Sequence, residues 1–152
     1  MNPLSRVLSS LTCAAVTAAA LAAPATAADG YDGVYQISST RYPDFCLEWD
    51  VYSARPKECN GSVYQRWEVS QSSDGTYRLM ANGFLCAAEG VKLDIQECDD
   101  RIEQKWHGTP SVAGGYEIRN AASGKCVELS SLQILAPCNG STYQSWKFTP
   151  RK

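Results

Sequence analysis

Cys59-Asn60-Gly61-Ser62-Val63-Tyr64-Gln65-Arg66-Trp67 returns near the C-terminus as Cys138-Asn139-Gly140-Ser141-Thr142-Tyr143-Gln144-Ser145-Trp146, with seven of the nine positions identical. A worn copy lies between them: Cys98-Asp99-Asp100-Arg101-Ile102-Glu103-Gln104-Lys105-Trp106. Three times, then, a cysteine is followed six residues later by Gln and eight residues later by Trp. Upstream of each copy stands another cysteine, at Cys46, Cys86 and Cys126, spaced by 40 and 40 residues. The tryptophans step by 39 and 40. A fixed period of this size marks a repeated supersecondary unit.

Each repeat opens alike, with Tyr35-Gln36-Ile37, Tyr77-Arg78-Leu79 and Tyr116-Glu117-Ile118. Alternation of this kind predicts a strand. A second strand carries the first cysteine: Phe45 to Trp49, Leu85 to Ala88 and Lys125 to Leu129. A third leads to the second cysteine, clearest in Leu93 to Glu97 and Leu132 to Leu135. A fourth carries the tryptophan: Arg66 to Val69, Lys105 to His107 and Ser145 to Phe148. Gly, Pro, Asn, Asp and Ser fill the gaps as turn formers, and no amphipathic helix of ten or more residues stands out. Three units of four strands predict an all-β array, and such an array protects its edges best by closing on itself.

Residues 1–28 have the composition of a signal peptide. Arg6 and the amino terminus supply positive charge, Val7 to Ala23 is apolar and alanine-rich, and Pro24-Ala25-Thr26-Ala27-Ala28 offers an A-x-A cleavage site. The other reading, a membrane anchor, fits poorly, because alanine is weakly apolar and Ser9, Ser10 and Thr12 dilute the run. Cleavage would remove Cys13 and leave residues 29–152 as one secreted, extracellular domain with six cysteines and three repeats, at about 30–70, 71–109 and 110–150. No linker divides it. The whole chain carries a net charge of −2, without the basic footprint that nucleic-acid binding needs.

Six cysteines allow fifteen connectivities. Pairing Cys46–Cys59, Cys86–Cys98 and Cys126–Cys138 puts the same bond inside every repeat. Each bond would close a short loop, worth about 3 kcal/mol in the chain-entropy account. Free thiols or a metal site are the competing readings. His107 is the only histidine, so no His–Cys cluster is available, and neither a metal nor another cofactor is expected.

Three phased cysteine pairs with three phased Gln-x-Trp motifs resemble the ricin B-chain-type lectin domain, a β-trefoil also known as carbohydrate-binding module family thirteen. The resemblance runs from about Gly33 to Phe148. It implies a β-trefoil of three pseudo-repeats, each with four strands and one disulfide. It places Trp67, Trp106 and Trp146 in a shared structural core and gives Gln65, Gln104 and Gln144 chiefly the support of neighbouring backbone. It also implies a sugar site in each repeat. An Asp two residues after the first cysteine takes sugar hydroxyls, an aromatic two residues before the second cysteine stacks on the ring, and an Asn before the motif Gln adds an amide. The chemistry is sound: a carboxylate holds hydroxyls, and a flat ring matches the apolar face of a pyranose.

This chain departs from that pattern. The Asp position holds Glu48, Ala88 and Glu128. The stacking position holds Lys57, Gln96 and Ala136, and the Asn position holds Tyr64, Glu103 and Tyr143. Repeat two therefore reads as structural. Repeats one and three keep a longer carboxylate beside a Tyr, so the candidate carbohydrate-binding residues are Glu48, Tyr64 and Gln65, with Tyr52 in the first hairpin turn, and Glu128, Tyr143 and Gln144. Trp49 reads either as a stacking platform or as filling for the hairpin's inner face. Asn60-Gly61 and Asn139-Gly140 read as turns.

Enzyme readings are weak. Glu48 and Asp50 lie two apart on one strand, whereas glycosidic carboxylates flank the scissile bond from opposite sides. No Gly-x-Ser-x-Gly elbow accompanies His107. The expectation is a non-catalytic, secreted carbohydrate-binding protein with degenerate sites and no membrane partner. The alternative is a trefoil scaffold that has lost sugar binding and engages a protein partner, for instance as a hydrolase inhibitor.

Overall fold

A computed structural model describes residues 32–130 and 134–152. The expected signal peptide lies outside these residues. Each repeat contributes four strands: β1 (Gly33–Ser39), β2 (Phe45–Trp49), β3 (Ser53–Glu58) and β4 (Trp67–Gln71); β5 (Tyr77–Ala81), β6 (Leu85–Glu89), β7 (Leu93–Glu97) and β8 (Trp106–Pro110); β9 (Tyr116–Asn120), β10 (Lys125–Val127), β11 (Leu135–Pro137) and β12 (Trp146–Pro150). The first and fourth strands of the repeats close a six-stranded antiparallel ring in the order β1–β4–β5–β8–β9–β12, with β12 returning to β1. The second and third strands form the hairpins β2–β3, β6–β7 and β10–β11. Pairing of β3 with β7 ties the first two hairpins together. This barrel with three hairpins is a β-trefoil, and its closed ring removes the edge strands that would otherwise invite foreign pairing.

The alternating pattern explains the core. Ile37, Leu79 and Ile118 turn inward and are 0%, 2% and 2% exposed. Tyr35 and Tyr77, two residues earlier on the same strand face, pack half-buried against this cluster. The Phe148 ring meets Tyr35 and Tyr116 edge-on, at 5.9 and 6.0 Å between centroids.

Trp67, Trp106 and Trp146 are fully buried. A buried indole needs an acceptor for its N–H. Each finds the same one, the carbonyl of the residue after the repeat's first cysteine: Leu47 at 2.8 Å, Ala87 at 3.0 Å and Val127 at 2.8 Å. One bond thereby ties strand four of each repeat to strand two. The disulfides Cys46–Cys59, Cys86–Cys98 and Cys126–Cys138 form within the repeats, each with Cα atoms 5.0 Å apart.

The strand boundaries differ from expectation in two ways. Strand four begins at the tryptophan in every repeat, because the preceding residue closes a 3-10 turn. The N–H groups of Arg66, Lys105 and Ser145 donate to the carbonyls of Val63, Ile102 and Thr142. The third hairpin is also shorter and displaced. The strand expected from Lys125 to Leu129 stops at Val127, since the Leu129 N–H leaves the hairpin for the Tyr143 carbonyl at 2.8 Å. The strand expected over Leu132 to Leu135 instead runs Leu135–Pro137; its first two residues lie outside the described set.

Candidate functional site

The cysteine-to-tryptophan segment builds one device three times. Asn60 accepts the Ser62 N–H on its side-chain oxygen at 2.9 Å, Asn139 accepts the Ser141 N–H at 2.9 Å, and Asp99 accepts the Arg101 N–H at 3.2 Å. The next residue sits in the left-handed region: Gly61 (φ 70°), Asp100 (φ 65°) and Gly140 (φ 70°). Glycine suits that position, and Asp tolerates it better than most residues. The worn copy therefore still makes the turn. Asn60 and Asn139 act here as turn residues, as their sequence context suggested.

The turn aims the motif glutamine back at the hairpin. Gln65, Gln104 and Gln144 are 1%, 0% and 0% exposed. Each side-chain oxygen accepts the N–H of the residue after the second cysteine: Asn60 at 2.9 Å, Asp99 at 2.9 Å and Asn139 at 2.8 Å. Each amide nitrogen donates to the carbonyl of the residue before that cysteine: Glu58 at 2.8 Å, Glu97 at 2.7 Å and Pro137 at 2.9 Å. The glutamine thus bridges the backbone on both sides of the disulfide, which is the physical reason for the fixed spacing.

The second N–H of the amide distinguishes the repeats. Gln65 gives it to Glu48 at 3.1 Å and Gln144 gives it to Glu128 at 2.8 Å. In repeat two the corresponding residue is Ala88, 1% exposed, and no carboxylate is present. Gln65 and Gln144 consequently have both donors occupied and are buried. They orient the glutamates from behind, and no free N–H remains for a sugar.

The two glutamates then differ. In repeat one, the other oxygen of Glu48 pairs with Lys57 at 2.9 Å, and the Glu48 side chain is only 14% exposed. The lysine occupies the position where the family pattern has its stacking aromatic, and its amine is paired with the carboxylate. In repeat three, Ala136 stands there, and among the described residues no cation pairs with Glu128. Tyr143, 40% exposed, lies one residue before the glutamine that holds Glu128.

The remaining candidates fall as follows. Tyr64 is half-exposed and stands edge-on to Trp49 at 5.1 Å. Trp49 is the inner filling of its hairpin: it is buried, and its N–H donates to the Arg66 carbonyl at 3.1 Å. Tyr52 is 81% exposed at the tip of the β2–β3 hairpin. Below it, Asp50 accepts the N–H groups of Tyr52 (2.9 Å) and Ser53 (2.8 Å). The Tyr52 bond leads in holding its carboxyl below the usual range. In repeat two, Ala88, Gln96 and Glu103 stand at the three pattern positions, and the Glu103 carbonyl accepts the Asn120 amide at 2.8 Å.

Residues 33–146 match the model of the ricin-type β-trefoil lectin domain. The chain belongs to the ricin-type β-trefoil lectin family. Domains of this family are generally non-catalytic carbohydrate-binding modules. No curated protein matches the chain, but solved structures share its fold. The chain is similar to a mosquitocidal holotoxin, at 17% identity and a TM-score of 0.72. The match covers 80% of this chain and spans 17% of the holotoxin. It is similar to the designed threefold-symmetric protein ThreeFoil, at 19% identity and a TM-score of 0.64, over 77% of this chain and 98% of that one. It is also similar to SeviL, whose structure holds the asialo-GM1 saccharide, at 9% identity and a TM-score of 0.68, over 80% of this chain and 99% of that one. At these identities the likeness is one of fold.

Sequence reasoning missed Arg41, Tyr42 and Phe45 beside the lectin domain's third repeat. The loop from β1 to β2 places the Arg41 guanidinium 5.6 Å from the ring centroids of both Tyr42 and Tyr143. The two tyrosine rings meet at 6.3 Å, and Phe45 meets Tyr42 at 6.4 Å. A signal was available. From the strand-one Ile or Leu to the first cysteine is nine residues in repeat one (Ile37 to Cys46) but seven and eight in the others. The longest of these loops carries the cluster. Among the described residues no three His, Cys, Asp or Glu side chains gather as a metal site, and no helix is long and apolar enough to cross a membrane.

Proposed function

We propose that this chain is a secreted, non-catalytic carbohydrate-binding protein with degenerate sugar sites, and that repeat three is its principal site. The observation that carries the reading is the Glu128 carboxylate, oriented by the buried Gln144 amide at 2.8 Å; Tyr143, whose ring is half-exposed, is the residue before that glutamine. An ionised carboxylate accepts sugar hydroxyls, and a tyrosine face covers the apolar side of a pyranose. Repeat one is a silent copy, because Lys57 occupies the carboxylate oxygen that a hydroxyl would need. Repeat two contributes structure alone.

The test is retention on a glycan array and on insoluble polysaccharides. Glu128→Ala should abolish retention, while Glu48→Ala should leave it within about twofold, as expected for a carboxylate already committed to an internal partner. Absence of retention by the unmodified protein, or retention indifferent to Glu128→Ala, overturns the proposal.

One observation supports a second reading, a scaffold for a protein partner. Val51 and Tyr52 stand 66% and 81% exposed at one hairpin tip. Recovery of a partner from the native extracellular medium, lost with Tyr52→Ser, would favour it; recovery of polysaccharide alone would count against it.

A further inference from the structure

Between the β1–β2 loop of repeat one and the hairpin of repeat three lies an open depression of about 320 Å³. It is lined by Tyr42, Phe45, Pro56, Leu129 and Ser130. Its volume is at the lower end of ligand clefts, which span about 300–1,000 Å³. Its walls come from two repeats, with Tyr42, Phe45 and Pro56 from the first and Leu129 and Ser130 from the third. Among the described residues its lining meets repeat three at Leu129 and Ser130, apart from the Glu128 carboxylate and the Gln144 amide, and it shares with the repeat-three site the Tyr143 ring, which stands against Tyr42.

The edge of this depression is charged in a particular way. Arg41 lies over two tyrosine rings, within the 6 Å range of cation–π attraction. Among the described residues it pairs with no carboxylate, and Asp44, three residues on in the same loop, is not a partner. Tyr42, then Tyr143, steadies the guanidinium. The Tyr143 hydroxyl, followed by Arg41, holds the Tyr42 phenol below its ordinary range. Tyr42, Phe45 and Tyr143 are each about 40% exposed (45%, 38% and 40%). An oriented planar cation thus stands beside exposed ring faces and an apolar floor. Guanidinium donors match a carboxylate bidentately, and flat rings match the C–H face of a pyranose.

We propose that Arg41, Tyr42 and Tyr143 form a binding site for an acidic sugar unit, a uronate whose carboxylate pairs with Arg41 while its ring lies against the tyrosines and the Phe45–Leu129 floor. The inference rests on the carbohydrate reading for the class of ligand, but not on Glu128.

The test is NMR titration of the folded secreted chain with sodium glucuronate, its uncharged methyl ester, and acetate. Glucuronate should shift the Arg41 Nε–Hε resonance and the Tyr42 and Tyr143 ring protons saturably. The methyl ester should bind about tenfold more weakly, and Arg41→Gln should lose about tenfold, the worth of one charge-assisted contact. Arg41→Lys should fall between, since it keeps the charge and loses the fork. Arg41 is on an exposed loop, and dispersed spectra will confirm that the variants fold. Equal shifts with acetate, equal affinity for the ester, or an Arg41→Gln variant that binds normally each overturn the inference.

The two readings fail separately. Retention of neutral glycans that depends on Glu128 and ignores Arg41, without any response to glucuronate, removes the acidic site and leaves the proposed function. Saturable glucuronate binding through Arg41, with no glycan retention that depends on Glu128, supports the acidic site and removes the repeat-three carboxylate site.

Discussion

Replacing the motif glutamines one at a time separates folding from recognition within a single motif. Gln104→Ala and Gln144→Ala delete the same two bonds to backbone, at 2.7 and 2.9 Å in repeat two and at 2.9 and 2.8 Å in repeat three. A neutral hydrogen bond contributes about 0.5–1.5 kcal/mol net, so each variant should lose about 1–3 kcal/mol of stability. The partner groups lie near the surface, where water can replace the lost bond, which favours the lower half of that range. Gln144→Ala removes one bond more, the one that holds Glu128. A charge-assisted bond is worth about 1.5–3 kcal/mol, so releasing the carboxylate should weaken glycan binding by about tenfold or more. Gln104→Ala should leave binding unchanged at temperatures where the variant is folded. Urea unfolding followed by tryptophan fluorescence measures the first effect, and retention on the ligand found by the array measures the second. If Gln104→Ala costs under about 0.5 kcal/mol, the glutamine is not the clasp described here. If Gln104→Ala weakens binding as much as Gln144→Ala does, binding loss merely reports destabilisation, and the orienting role of Gln144 falls.

Lys57→Ala should unplug repeat one: a partly exposed ion pair is worth about 0.2–1 kcal/mol, so the double variant Lys57→Ala/Glu128→Ala should recover measurable retention that Glu128→Ala lacks, and a double variant as inert as Glu128→Ala would refute the plug. Acid stability should depend on Asp74, whose carboxylate meets Lys105 at 2.6 Å and the Thr76 hydroxyl and N–H at 2.5 and 3.0 Å. These contacts, Lys105 first, hold its pKa well below the ordinary carboxylate value. Because the folded pKa is depressed, the contribution is present above the unfolded value near 4 and is lost as pH falls below it. Asp74→Asn should therefore flatten the decline in stability below about pH 4, measured by urea midpoints across pH; an unaltered decline would refute the assignment.

The fold was legible because each repeated residue has one physical task that tolerates little change of spacing. The tryptophan must reach the carbonyl after the first cysteine, and the glutamine must straddle the second. Where several partners could serve, legibility fell. The third hairpin was misplaced because Leu129 bonds to Tyr143 across the repeat instead of continuing β10. At the site, the position of Glu48 and Glu128 could be read, but not their difference in availability. Both hairpins have the same register, with Cys46 opposite Lys57 and Cys126 opposite Ala136, so the difference lies in the lysine amine reaching back to Glu48, a side-chain contact that the spacing does not display. The Arg41 cluster was invisible for a related reason. It joins residues 41 and 143, and only closure of β12 onto β1 brings them together. The long loop was a clue to its existence, but nothing in one repeat names its partner in another.

On the proposed reading, the same geometry accounts for sugar sites that erode without unfolding the protein. The glutamine needs its backbone partners, and the carboxylate is an addition on its second N–H. Ala88 removes that addition in repeat two; Gln104 keeps both bonds to backbone, and no charged group is left unpaired there. Lys57 neutralises it in repeat one and leaves a satisfied ion pair. Neither change disturbs the tryptophan or disulfide of its repeat, so loss of a sugar contact carries little cost in stability. The consequence is a change in how affinity is obtained. A trefoil with three open sites gains from simultaneous engagement of a polymer, but on the proposed reading this chain has one. A single site strengthens only by recruiting more contacts around it. The residues positioned to do so are those the neighbouring repeat brings to Tyr143, namely Arg41 and Tyr42.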